Sequence, residues 1–259
     1  MAGERDNATI ISRVDTGPDL MIIRVRPDVG EVPEFLPGQY AELAFPSDDG
    51  TASQRLVRRA YSIASAADVR DHFEFYVVHV PDGVVTPKLW TTREGGRLWL
   101  GSKVKGKFTL DGIPPKKDLV MVATGTGIAP YVSMIRSYRG VGRWRKVIVI
   151  HGARLAHDLG YRAELEELSG KDDSIVYIPT LTREPEGSSW RGFRGRVLEV
   201  LAPEVFLKLV GEPLDPAQCE VFLCGNPQMI DDAEELLKSR GFREHHKKNP
   251  GNLHFERYW

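Results

Sequence analysis

Arg59-Ala-Tyr-Ser62 sets a fixed cation, an aromatic face and a hydroxyl within four residues. Such a set could clamp a pyrophosphate, cover a flat ring and hydrogen-bond to it. Period-two alternation would point Arg59 and Tyr61 one way and Ser62 the other. The plain alternative is an edge strand with a solvated arginine and a core tyrosine. A second stretch, Asp118 to Pro130 (DLVMVATGTGIAP), runs from aliphatic residues into a threonine and glycine pair and then a proline. Gly125 and Gly127 permit a tight turn, and Pro130 suits the first turn of a helix. Free backbone N–H groups at a positive helix end bind a nucleotide diphosphate. The third glycine of the usual dinucleotide fingerprint is missing, so a bare strand-to-helix connection is the competing reading. Cys224 ends another apolar run, where an inert core thiol is the ordinary explanation. The seven histidines show no metal-ligand spacing.

These groups need elements to hold them. From Thr9 to about Leu110 the chain alternates in short strand-like runs: TIISRV, LMIIRV, QYAELAF, RAYSI, HFEFYVVHV, RLWL and KVKGKFTL. Turn residues separate them, and one short helix is expected from Thr86-Pro87 through LWTT. This pattern predicts an antiparallel barrel or sandwich. The Pro-rich charged segment Asp111-Gly-Ile-Pro-Pro-Lys-Lys marks a boundary. We expect one domain over residues 1–112, a linker over 113–118 and a second domain over 119–259.

Beyond the boundary, strands DLVMVA, KVIVIHG, SIVYIPT and EVFLCG alternate with helical stretches, and LHFERYW supplies a fifth strand. That alternation gives a five-stranded parallel α/β sheet with right-handed crossovers. The last helix has Asn226 as N-cap, Pro227 at its first position and Gly241 past its end. Ligands bind outside the carboxyl ends of parallel strands. That edge collects Thr124 to Gly127, His151 to Arg154, Thr180 to Glu184, Cys224 to Pro227 and the terminal Tyr258-Trp259.

With 259 residues there is room for two cores. Lys and Arg number 35 against 36 Asp and Glu, which gives no case for nucleic acid. Two cysteines are too few for a four-thiolate iron–sulfur cluster or a disulfide scaffold, and they fit a reducing, cytoplasmic setting. No run approaches the roughly 18 apolar residues of a membrane span, and MAGERDNATI holds no long apolar h-region, so a soluble protein is expected.

RAYS, the GKFT run at Gly106 to Thr109, ATGTGIAP, HGAR, TLTRE, CGNPQM and the terminal ERYW occur in one order along the chain. That order resembles the ferredoxin (flavodoxin)–NADP+ reductases of the bacterial type, over essentially the whole chain. The resemblance implies an N-terminal Greek-key barrel that binds FAD, a C-terminal α/β domain that binds NADP(H), and a flavin ring in the cleft between them. By the same resemblance Arg59 holds the FAD pyrophosphate, Tyr61 stacks on the isoalloxazine, and Ser62 bonds near flavin N5 and the nicotinamide. Ala60, Tyr76, Val77, Val78, Val84, Val85, Thr86 and Thr126 complete the implied FAD contacts. Tyr258 would cover the other ring face and Trp259 a folded-back adenine.

For NADP(H) the resemblance implies Thr124, Gly125, Ala153, Arg154, Thr182, Arg183, Arg196, Cys224 and Gly225. Arginine forks suit a 2′-phosphate dianion, whereas an NAD site more often shows a carboxylate. Arg191 and Arg194 compete with Arg196 for the third arginine place. Cys224 would lie beside the nicotinamide without forming a covalent intermediate, with Glu256 a nearby polar group. The implied activity is hydride transfer from NADPH to FAD and single-electron transfer to ferredoxin or flavodoxin, by a monomer. Lys103, Lys105 and Lys107, which a strand would place on one side, and Arg243 to Lys248 are candidate basic faces for that acidic carrier. Solvated surface charge is the simpler reading of each run. A flavin reductase, an oxygenase reductase component or a flavin-bearing subunit of a larger complex would use the same motifs. The missing four-cysteine motif argues against a fused iron–sulfur domain, and the terminal Tyr-Trp against a free-flavin site open on both faces.

Overall fold

A computed structural model describes residues 6–47 and 55–257. The chain forms two compact units: residues up to Asp111 together with Ala129–Ser137, and Gly112–Ile128 together with Tyr138 onward.

The first unit is built on six antiparallel strands: β1 (Ala8–Gly17), β2 (Leu20–Pro27), β3 (Tyr40–Pro46), β4 (Leu56–Ser62), β5 (Phe73–Val78) and β6 (Arg97–Leu100). Their order is β4-β3-β6-β1-β2-β5, and an antiparallel bridge between Ile63 and Phe75 brings the two ends together. Closure removes sheet edges and defines a barrel. Inward residues such as Ile10, Ile23, Leu43, Phe75 and Leu98 fill it. A short helix, α1 (Val85–Thr91), packs with this core through Val85 and Leu89. The run KVKGKFTL is not a strand; it makes a single bridge, Lys105 to Tyr40, because Gly106 turns the chain at φ +113°. Lys103, Lys105 and Lys107 are nonetheless all exposed, and Lys105 pairs with Glu42 at 2.9 Å.

Helix α2 (Ala129–Tyr138) contributes its residues through Ser137 to this first unit. Ser133 Oγ donates to Ser65 O at 2.7 Å, and Ser137 Oγ accepts from Ala67 N at 2.9 Å. Arg136 donates to Ala64 O at 3.0 Å and to Glu74 Oε1 at 2.7 Å. Glu74 is 3% exposed and also receives Arg24 at 2.8 Å. Burial alone would raise its pKa, but the two guanidiniums outweigh burial and hold it below the usual value.

The second unit carries a parallel sheet of β7 (Asp118–Thr124), β8 (Lys146–Ala153), β9 (Ile175–Leu181), β10 (Phe193–Arg194), β11 (Cys219–Gly225) and β12 (Leu253–Arg257). The order is β10-β9-β8-β7-β11-β12. The five expected strands are present, and the two-residue β10 adds a sixth. All of β11, and β7 up to Ala123, are buried, as expected where helices cover both sheet faces. The connections are α3 (Arg162–Lys171), α4 (Val197–Val200), α5 (Pro203–Val210) and α6 (Pro227–Ser239). Asn226 caps α6, its Oδ1 accepting from Gln228 N at 2.9 Å and Met229 N at 3.3 Å. The chain steps outward from β7 through β8 and β9, then returns to place β11 on the other side of β7. The β7/β11 boundary is therefore the switch point where open α/β sheets leave a crevice.

Candidate functional site

The parallel register sets the site-bearing residues of the second unit in one line. Thr124 faces Gly152, Gly152 faces Thr180, Ala153 faces Leu181, and Cys224 lies between Ala123 and Glu256. The loops leaving β7 and β11 straddle the switch point and are tied together, since Asn226 N donates to Thr124 Oγ1 at 2.9 Å. After Thr124 the chain enters a 3₁₀ turn, Gly125–Ile128, that leads directly into α2. Gly125 takes φ +53°, and among the described residues beyond its chain neighbours nothing lies within 4 Å of where a Cβ would stand. Gly127 is needed for a different reason: a Cβ there would sit 2.4 Å from Cys224 O.

Three arginines converge beside this turn. Beyond the strand ends the ladder continues, with Thr182 N donating to Ala153 O at 3.1 Å and Arg183 N to Arg154 O at 2.9 Å. Gly195 N donates to Leu181 O at 3.0 Å and Thr180 Oγ1 to Gly195 O at 3.0 Å, which brings Arg196 to the same edge. Arg154, Thr182, Arg183 and Arg196 are exposed. No described residue accepts a hydrogen bond from the guanidinium of Arg154, Arg183 or Arg196. The two competitors are differently placed. Arg194 donates to Glu184 O at 2.6 Å, Pro185 O at 3.1 Å and Ser188 Oγ at 3.2 Å. Arg191 donates to Ser188 O and Trp190 O. Both hold the 184–196 loop in shape, while buried Trp190 anchors it, donating Nε1–H to Phe193 O at 3.1 Å. Unsatisfied guanidinium forks, open backbone and a switch-point crevice fit a phosphate-bearing nucleotide.

His151 is a residue that sequence reasoning passed over in favour of Arg154 in the same HGAR segment. It is fully buried, with Nε2 3.2 Å from Gly125 O and Nδ1 3.2 Å from the Tyr177 hydroxyl. Burial lowers its pKa to about 4, with the Gly125 hydrogen bond pulling weakly the other way. Cys224 is fully buried, and Glu256 is half-buried in register with it. Thr126 and Gly225 lie on the same two loops. Tyr258 and Trp259 lie outside the described residues.

In the barrel unit, Arg59 and Ala60 are exposed at the end of β4, Tyr61 is half-buried, and Ser62 is 6% exposed. The simple alternation fails here because Arg58, Arg59 and Ala60 are exposed in succession. Arg58 lies over the Trp99 ring at 4.4 Å, whereas the Arg59 guanidinium donates to the neighbouring Arg58 O at 2.8 Å. Tyr61 meets Phe75 edge to face at 6.3 Å, and burial raises its phenol pKa well above the ordinary value. Tyr76 and Val77 are buried and Val78 half-buried, on the stretch of β5 that pairs with β2 beyond Phe75. Val77 belongs to the barrel core, so a ligand would meet its backbone rather than its side chain. The Thr86 hydroxyl is engaged internally, accepting from Val80 N and donating to Val80 O at 3.0 Å each. That leaves the first N–H groups of α1, beside exposed Val84 and buried Val85, as the donors of this loop. An exposed cation, an aromatic and a hydroxyl on one strand end fit a flat-ringed dinucleotide. Among the described residues, no group of three or more His, Cys, Asp or Glu could hold a metal ion. No helix among them is long and apolar enough to cross a membrane.

Two family descriptions match the chain: an oxidoreductase FAD-binding domain over residues 7–108 and an oxidoreductase NAD-binding domain over residues 121–235. The flavodoxin/ferredoxin–NADP reductase of Buchnera aphidicola subsp. Baizongia pistaciae is 31% identical over 227 residues, 87% of this chain and 88% of that protein. The protein of the same name from Escherichia coli is 34% identical, again over 87% and 88% of the two chains. Among solved structures, a ferredoxin NADP+ reductase from Neisseria gonorrhoeae with bound FAD and NADP superposes with a TM-score of 0.86 at 26% identity. That match covers 99% of this chain and 100% of the other.

Proposed function

The chain belongs to the flavodoxin/ferredoxin–NADP reductase family, and on that premise we propose how its residues divide the work. It is an FAD-dependent oxidoreductase that moves electrons between NADPH and ferredoxin or flavodoxin. Bound FAD supplies the exchange between the hydride chemistry of NADPH and the one-electron chemistry of the protein carrier. The chain's own residues supply binding, orientation and electrostatics, and none has to act as a strong acid or base.

In this reading residues 1–112 bind FAD and residues 119–259 bind NADP(H), joined through 113–118. Arg59 neutralises the FAD pyrophosphate, with the first amides of α1 near Val84, Val85 and Thr86 assisting. Tyr61 covers one face of the ring. Ala60 and the Tyr76–Val78 backbone hold the ring edge, and Thr126 touches it. The Ser62 hydroxyl serves the flavin, and Cys224 and Glu256 serve the nicotinamide. Thr124, Gly125 and Gly225 take the NADP diphosphate, while Ala153 and Thr182 flank the adenosine. Arg154, Arg183 and Arg196 read the 2′-phosphate; Arg196 takes the third place because Arg191 and Arg194 already serve the loop. The exposed runs around Lys103 to Lys107 and Arg243 to Lys248 attract the acidic carrier, and the enzyme works as a cytoplasmic monomer.

The observation that carries this reading is the convergence of three arginines, none with a guanidinium acceptor among the described residues, at the edge of the sheet that holds its switch point. Purification of the chain alone tests it. A yellow protein that oxidises NADPH in proportion to added ferredoxin or flavodoxin is expected; a colourless protein, or one indifferent to both carriers, contradicts it.

A further inference from the structure

His151 stands at the end of β8, opposite Ala123 in β7, and touches the turn from beneath. A carbonyl can only accept, so Nε2 carries the proton and donates it to Gly125 O. The ring is neutral at physiological pH, since burial lowers its pKa to about 4. Nδ1 is then an acceptor, and it is met by the Tyr177 hydroxyl. Both ring nitrogens are thus used on opposite sides, which fixes the tautomer and the ring plane.

The consequence lies in the Gly125–Thr126 peptide. In a trans peptide the carbonyl and the following N–H point in opposite directions, and no cis peptide occurs among the described residues. With Gly125 O drawn down onto His151, the Thr126 N–H is turned the opposite way, away from the ring. Two further contacts stop the turn from rotating as a whole. Asn226 N holds Thr124 Oγ1 at 2.9 Å, and Gly127 lies against Cys224 O. A freely rotating peptide would present its carbonyl to a phosphate as readily as its N–H.

We infer that His151 is a positioning residue for the dinucleotide: by holding the Gly125 carbonyl it aims the Thr126 N–H at the diphosphate. This rests on the reading, given above, that the turn binds the NADP diphosphate. The arginines address a different part of the ligand, the 2′-phosphate, and the two contributions separate with two probes. NADP+ carries both groups; 2′-AMP carries the 2′-phosphate and no diphosphate.

Dissociation constants of both probes are measured on the FAD-loaded protein and its His151→Leu, His151→Gln and Gly127→Ala variants. In His151→Leu, NADP+ binding weakens about tenfold, near the lower end of what a charge-assisted hydrogen bond contributes, while 2′-AMP binding stays within about twofold. His151→Gln, whose amide N–H can still reach Gly125 O, recovers most of the loss. Equal losses for the two probes, or unchanged NADP+ binding in His151→Leu, would overturn the inference. Gly127→Ala distinguishes this from failure of the parent reading, because its Cβ would stand 2.4 Å from Cys224 O and displace the turn. If Gly127→Ala leaves NADP+ binding intact, the turn is not part of the NADP site. If it weakens NADP+ and His151→Leu does not, only the role of His151 fails. Should the leucine variant not fold, His151→Asn replaces it. Asn is one methylene shorter than Gln, so loss with Asn and retention with Gln is expected, and equal affinities would refute the role.

Discussion

Replacing His151 by Gln should remove a specific part of the protein's acid sensitivity. In the folded chain burial depresses the imidazole from 6.5 to about 4. As pH falls below the unfolded value, the unfolded chain takes up a proton that the folded chain refuses. The unfolded state then binds more protons, so stability declines with falling pH through this window and is unaffected above it. At 1.36 kcal/mol per pKa unit the full loss is about 3 kcal/mol, of which about 2 kcal/mol has gone by about pH 5. Gln keeps a donor for Gly125 O but does not titrate. Urea denaturation of the FAD-loaded wild type and His151→Gln at about pH 7 and about pH 5 measures the difference. The wild type should lose about 2 kcal/mol more than the variant over that interval. Carboxylates such as Glu74 act equally in both proteins and cancel. Equal losses would show that the buried ring is not held neutral, and the geometry drawn for the Gly125 carbonyl would be wrong.

Glu74→Ala leaves Arg136 and Arg24 without their shared carboxylate. A loss of about 1–3 kcal/mol in chemical denaturation is expected, since the carboxylate is buried but both guanidiniums keep solvent contact. Arg183→Ala should weaken NADPH about tenfold to a hundredfold in KM and leave NADH nearly unchanged; equal losses would separate this side chain from the 2′-phosphate. Arg196→Ala should do the same, whereas Arg194→Ala should lower the thermal midpoint of the protein with a smaller change in KM, because its guanidinium spans Glu184 O, Pro185 O and Ser188 Oγ. The reverse ranking would give Arg194 the third arginine place.

Much of the second unit is legible in the sequence because parallel strands end together. Once DLVMVAT, KVIVIHGA and CEVFLCG read as buried strands, Thr124, Ala153, Arg154 and Gly225 must share an edge. The Asn226 cap is local and equally readable. What escapes is whatever depends on register or on distant partners. His151 reads as an ordinary strand residue until β7 and β8 are aligned, and only then does its ring fall beneath Gly125. Helix α2 follows the second unit's turn in sequence, yet its polar residues answer partners more than 60 positions away, Glu74 among them. Arg191, Arg194 and Arg196 share type and neighbourhood, so spacing does not rank them; the carbonyls of the 184–190 loop do. In the barrel, period two holds through β2 but fails at Arg58 to Ala60, where strand β4 runs along the exposed side. The lysines around Gly106 keep their exposure without the strand that the alternation implied, since one positive φ is enough to break it.

Cofactor preference reads the nucleotide edge most directly. With ferredoxin as the acceptor, kcat/KM for NADPH and for NADH is measured on the same preparation of the FAD-loaded chain. Three arginines turned to a 2′-phosphate require NADPH to be favoured by about a hundredfold or more. Equal use of the two nucleotides, or a preference for NADH, would contradict the assignment of that edge and of the reductase built around it.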